Sequence, residues 1–235
     1  MKREFYIILI SIFIISCVRL TSNNESDLEQ DISISLILVY PQRKQIAAVT
    51  YLHSNEKFGI SPTFVDSASL SIGEIHFINI PNDSLKLNRF CSENPIDLNK
   101  CHNYYTNDLR IKPGKKYNLN LQYKSFRIEG ETIVPDFFNV SVVGRKIFWT
   151  KNTNAYSFRI TIRQKMENFF YENVTEKYSM ELDSVTFKQG NYLLKIEAID
   201  KNFCDFIINK TKRSGINNGF GVFGSVTIVE KEFSL

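Results

Sequence analysis

Period two is the feature that most constrains this chain. In "YNLNLQY", Tyr117, Leu119, Leu121 and Tyr123 are apolar while Asn118, Asn120 and Gln122 are polar, so alternate side chains face opposite sides of a strand. The preceding "KPGK" places Pro113 and Gly114 at the two central positions of a type II turn, the second of which needs a positive φ. After Lys124 and Ser125 the apolar set changes parity to Phe126 and Ile128. A hairpin is expected there.

The same period recurs along most of the chain. "SISLILVY" reads as a first strand, and "ASLSIGEIHFINI" alternates through Ala68, Leu70 and Ile72 before its phase slips at Gly73 to Ile75 and Phe77, as at a bulge or tight bend. Residues 33–135 are therefore expected to form one β-sandwich. Pro135 and Asp136 mark a boundary, because proline cannot donate to a central ladder. Beyond it the alternation restarts in Tyr156/Phe158/Ile160/Ile162, Tyr178/Met180/Leu182 and Tyr192/Leu194/Ile196/Ala198, with Trp149 nearby. A second sandwich is expected over 136–235. The composition agrees: the chain is 43% hydrophobic and 13% aromatic, rich enough to build two cores.

Two segments depart from strands. "DKNFCDFIINKTKR" aligns Phe203, Phe206 and Ile207 on one helical face, with Asp200 or Asn202 able to cap its start and Lys210, Lys212 and Arg213 expected at the negative end of the dipole. The other is "NNGFGVFGSVTIV". Its glycines lead into β-branched residues rather than a helix, which excludes a phosphate loop. No cofactor-binding motif is found elsewhere.

Charge and cysteines narrow the classes further. The formal charge is +4, and apart from "KPGKK" and "KTKR" the basic residues are interleaved with acidic ones. Without a continuous basic face, a nucleic-acid partner is not expected. Cys91 and Cys101 in "CSENPIDLNKC" are the natural disulfide pair, a bridge contributing about 2 to 3 kcal/mol by restricting the unfolded chain. A Cys/His metal site through His102 is the alternative, without a C-x-x-C pair to support it. Cys204, in an apolar stretch, reads as a buried free thiol.

The N-terminus carries an address. Lys2 and Arg3 precede an apolar run from Phe5 to Ile15, a signal-peptide pattern that as a helix rises only about 16 Å, too short to span a bilayer. Ile14, Ile15, Ser16 and Cys17 ("IISC") then resemble a bacterial lipobox, which implies cleavage after residue 16 and a diacylglycerol on the Cys17 sulfur. The alternative is an ordinary signal peptide with an incidental cysteine. Residues 17–32, including the polar "VRLTSNNESDLEQD", are expected to be a flexible tether reaching on the order of 20 Å. An outer-membrane, lipid-anchored protein is the expectation.

The lipobox, "DSASLSI", "KPGKKYNLNL" running on to "GETIVP", "YLLKIEAID" from Tyr192 to Asp200, and "NNGFGVFGSV" together resemble the domain-of-unknown-function 4249 family of Bacteroidetes lipoproteins. That resemblance implies an all-β fold in which a transthyretin-like or carboxypeptidase-regulatory-like sandwich precedes a fibronectin type III- or immunoglobulin-like one. It also implies a place beside outer-membrane transporters, and carries over no catalytic residues.

Three functional classes remain in view. A non-enzymatic binding or assembly module with an envelope protein partner is the leading expectation, with Tyr104 and Tyr105 in "CHNYYTND" as candidate contacts, since rigid aromatics make efficient anchors; the alternative, favoured because strand-end aromatics usually pack, is that one of the two tyrosines plugs the end of the sandwich. An envelope hydrolase or metal-dependent enzyme would need a constellation built on His53, His76 or His102; Glu74 and His76, two apart, would share a strand face, but no third ligand can be named. An adhesin or protease inhibitor would share the sandwich architecture and differ only in partner.

Overall fold

The computed structural model describes residues 32–51, 64–80, 102–164 and 169–235. In chain order the strands are β1 (Ile32–Tyr40), β2 (Gln45–Tyr51), β3 (Ser69–Ile72), β4 (Ile75–His76), β5 (Ile78–Asn79), β6 (Tyr104–Thr106), β7 (Lys116–Tyr123) and β8 (Phe126–Ile133). They continue as β9 (Val140–Val143), β10 (Lys146–Trp149), β11 (Ser157–Gln164), β12 (Phe170–Thr175), β13 (Ser179–Glu181) and β14 (Asn191–Ile199). A short helix, α1 (Lys201–Ile207), precedes β15 (Arg213–Ser214), β16 (Ile216–Asn217) and β17 (Phe220–Ser234). The fold is all-β, with sandwich-like sheets and one short helix among the described residues.

Local chemistry accounts for the turns. Gly114 takes φ +72° and the Lys115 N–H donates to Lys112 O at 3.3 Å, closing the turn expected at Pro113–Gly114. Tyr123 pairs with Phe126 across Lys124 and Ser125, so the parity change does mark a hairpin. The phase slip at Gly73 is a tight bend joining β3 to β4, with Ile72 opposite Ile75.

Three sheets assemble from these pieces. The large one runs β12-β11-β14-β17-β1-β2-β6-β5, with β15 paired to β17; the others are β13-β10-β9 and β16-β8-β7-β3-β4. On one side of the large sheet, Ile34, Leu36 and Leu38 of β1 pack with Leu70, Leu119, Leu121, Ile128 and Phe223 to form a first core. Phe158, Ile160, Leu194 and Ile196 pack with Ile147 and Trp149 to form a second. Ile37 and Val222 alternate with those residues and so face the other way, where Phe203 and Cys204 of α1 cover them.

Strand β17 joins the parts. It pairs parallel with β1 from Ser33↔Phe220 to Tyr40↔Thr227 and antiparallel with β14 from Asn191↔Ser234 to Ile199↔Val226. Phe223 enters the first core while Val229 and Phe233 pack on the second. Val134 is the last residue of the first core before Pro135 and Phe138 begins the second, yet Ile216 and Phe223 return to the first. Residues 32–235 consequently form one compact unit.

The glycines of "GFGVFGS" serve this junction. A Cβ on Gly221, which has φ +101°, would lie 2.0 Å from Ile34 O, and one on Gly224 would lie 2.8 Å from Phe203 Cβ. Only hydrogen fits between β17 and its neighbours at these two points.

Two sequence expectations need correction. Helix α1 is capped by Asp200, whose carboxylate accepts from Phe203 N at 2.8 Å, but it ends at Ile207, so Lys210, Lys212 and Arg213 lie beyond its last turn. Arg213 instead belongs to β15, with its guanidinium 4.6 Å over the Phe220 ring. Tyr104, expected as a partner contact, is fully buried: its hydroxyl donates to Val65 O at 3.2 Å and accepts from Ala68 N at 2.9 Å. A side chain held that way has no surface to offer.

Candidate functional site

The outward face of the five-stranded sheet is polar because the same alternation that buries Leu119, Leu121 and Ile128 leaves their neighbours outside. Pairing register sets those neighbours side by side. Asn217 of β16 lies opposite Glu129 of β8, which lies opposite Asn120 of β7; Asn120 faces Ser71 of β3, and Ser71 faces His76 of β4. One polar row thus crosses all five strands. Beside it Glu131 is paired with Asn118.

The start of α1 turns this face into a cleft of about 920 Å³. Lys201, Asn202 and Asn154 line one side, while Thr132 and Asp200 line its inner end. Asn202 is fixed there: its side-chain N–H group donates to Glu131 O at 2.8 Å and to Phe223 O at 3.1 Å. Asn154 donates to an Asp136 carboxylate oxygen at 3.0 Å. The Lys201 ammonium is held by Asp205 and sits 5.7 Å over the Tyr156 ring.

Ionised groups on this face come in matched pairs. Lys116 reaches Glu131 at 2.6 Å and Arg127 reaches Glu129 at 2.6 Å, so the four charges cancel. These pairs are more than half exposed and contribute little to stability. Their effect is local neutrality.

At the inner end lies a buried polar seam. Thr132 Oγ1 donates to the second oxygen of Asp200, the Thr132 and Ser225 hydroxyls are 3.0 Å apart, and Ser225 Oγ donates to Ile133 O at 3.1 Å. Thr227 Oγ1 donates to Pro135 O, and Asp200 N donates to Ser225 O at 3.1 Å. Burial pushes the Asp200 carboxyl above the usual carboxylate range, against hydrogen bonds from Thr132 and the Phe203 N–H. A displaced carboxyl in a cleft is a candidate acid or base. Here, however, each carboxylate oxygen is occupied within the fold, and the residue is 4% exposed.

The residues singled out from sequence fall elsewhere. Tyr105 is half-buried on β6, with Lys44 Nζ 5.0 Å over its ring, away from the cleft. Glu74 sits in the bend before β4 and His76 on β4 itself, so the two do not share a strand face. No group of three His, Cys, Asp or Glu side chains suited to a metal occurs among the described residues. Cys204 is free and buried, its thiol pushed up by burial and hydrogen-bonded by Ser157 Oγ at 3.4 Å. Cys17, Cys91, Cys101 and His53 lie outside the described residues. The cleft itself was present in the sequence only as the polar half of "YNLNLQY" and "FRIEGET", positions that alternation assigns to solvent.

No protein-family model matches this chain, and no curated protein matches it in sequence. Among solved structures it is similar to the crystal structure of chicken CNTN1 FN1-FN3 domains, at 11% identity and a TM-score of 0.26, covering 84% of this chain and 68% of that one. A likeness that low carries no functional argument, and the sandwich assignment stands on the strands and sheets themselves.

Proposed function

We propose that this protein is a lipid-anchored, non-enzymatic binding or assembly module of a bacterial outer membrane, accessory to an envelope protein such as a transporter. The observation that carries the reading is the chemistry of the cleft. It concentrates amides and charge-balanced pairs, while the Asp200 carboxyl, pushed above its ordinary range by burial, has both oxygens committed to Thr132 and the α1 cap. Such groups bind and orient; general acid–base work needs a carboxyl free to exchange its proton with a substrate. The anchor half of the proposal rests on "IISC" and the polar residues that follow it, and agrees with the resemblance to lipoproteins of the 4249 family. Two or more acyl chains on Cys17 would hold the chain firmly to a membrane.

The test is affinity isolation from detergent-solubilised envelopes, using the full chain and its Cys17→Ala variant. We expect the native chain to sediment with membranes and bring down an envelope protein, and the variant to lose membrane attachment. Recovery of the native chain alone at every detergent strength would contradict an assembly role. Unchanged membrane attachment of C17A would contradict the anchor.

A further inference from the structure

Resting on the binding reading above, we propose that the cleft on the five-stranded sheet takes a neutral, polyhydroxylated ligand, a saccharide chain lying across the strands. Within the cleft, Asn217, Glu129 and Asn120 present one exposed polar side chain from each of β16, β8 and β7, and Ser71 of β3, 5% exposed, lies at the end of that row. At a strand spacing of about 4.8 Å these four strands span roughly 14 Å, and each step is close to the rise of one sugar unit in an extended polymer. The cleft volume of about 920 Å³ falls within the span of ligand sites.

Side-chain chemistry selects among ligand classes. Asn118, Asn120 and Asn217 make no side-chain hydrogen bond within the chain among the described residues, so each amide has two donors and an acceptor to offer. Hydroxyls on adjacent sugar carbons both donate and accept, and an amide satisfies such a pair from one side. Glu129 and Glu131 accept further hydroxyl hydrogens, and the neutral pairs they form give an anionic polymer no net attraction. Lys116 and Arg127 beside them cancel the attraction a polycation would feel. An apolar ligand finds little to bury against, because Leu119 and Ile216 lie beneath the face with at most 9% exposure.

Electrophoresis of the full chain tests this directly, run in native gels containing soluble dextran, mannan or galactomannan and in a detergent without a sugar headgroup. Polygalacturonate and DEAE-dextran serve as charged comparisons. We expect at least one neutral polysaccharide to retard the protein and the charged polymers not to. The double variant Asn118→Ala/Asn120→Ala should weaken retardation about tenfold, from the loss of two neutral hydrogen-bonding groups. Asn217→Ala gives an independent weakening at the other end of the row, and Asn173→Ala on β12 should leave binding unchanged. No retardation by any neutral polymer, equal retardation of N118A/N120A and the native chain, or retardation by charged polymers alone would overturn the proposal. Reducing ends are measured in the same samples. Their release by the native chain would contradict the non-enzymatic reading while leaving the ligand class standing, so the two failures are distinguishable.

Discussion

Asp200 and Glu197 are buried carboxylates three residues apart whose surroundings push them in opposite directions. Burial raises Asp200, and its hydrogen bonds only partly oppose that shift. Burial would raise Glu197 as well, but Arg159, by hydrogen bond and charge, and then Lys195 at 2.8 Å, hold it below the usual range. For Asp200 the folded state binds its proton more tightly than the unfolded chain, so its contribution is fullest below the unfolded carboxylate range and is lost as pH rises toward its raised value. For Glu197 the contribution is present above the unfolded value and lost as pH falls through the lowered one. Thermal melting against pH should therefore show Asp200→Asn flattening the decline on going from acid to neutral. Glu197→Gln should cost about 1 to 3 kcal/mol at neutral pH and much less in acid, since it leaves Arg159 short of a partner. Parallel melting curves for both variants and the native chain would contradict these assignments. Residue chemistry of this kind was only partly legible in the sequence. Asp200 was visible as a cap because the cap is local, whereas the sequence did not say which of Tyr104 and Tyr105 packs inward: the hydroxyl partners that hold Tyr104, Val65 O and Ala68 N, lie 39 and 36 residues away.

At the scale of elements, turns were readable and partners were not. Pro113–Gly114 and Lys124–Ser125 announce themselves because φ preference and parity are properties of a few consecutive residues. Alternation says that a strand has two faces without saying which strand lies beside it, so the parallel pairing of β1 with β17 has no local signature. The glycines of β17 carry that information indirectly. Replacing Gly221 with alanine puts a Cβ against Ile34 O at φ +101° and should destabilise the protein by about 3 kcal/mol or more in denaturant unfolding. Gly144, with φ +55° and open space around it, should cost only about 1 to 2 kcal/mol on the same change. Equal losses at the two positions would mean that the β1–β17 contact is not what requires glycine. The cleft belongs to this scale too, since its row exists only through the registers of β16, β8, β7 and β3.

Across the whole molecule, β17 gives the two sandwich cores a common strand, and α1 with its Asp200 cap places one wall of the cleft where the polar seam ties β8 to β17. The cleft is therefore built from both sides of the Pro135 boundary: Asn118, Asn120 and Glu129 precede it, and Asn154, Lys201 and Asn217 follow it. A face assembled this way keeps its shape only while the unit is intact. The measurement bearing most directly on the account is the intact mass of the protein isolated from native envelopes. It should begin at Cys17 and carry a diacylglycerol on that residue; a chain that begins elsewhere and bears no acyl group would contradict it.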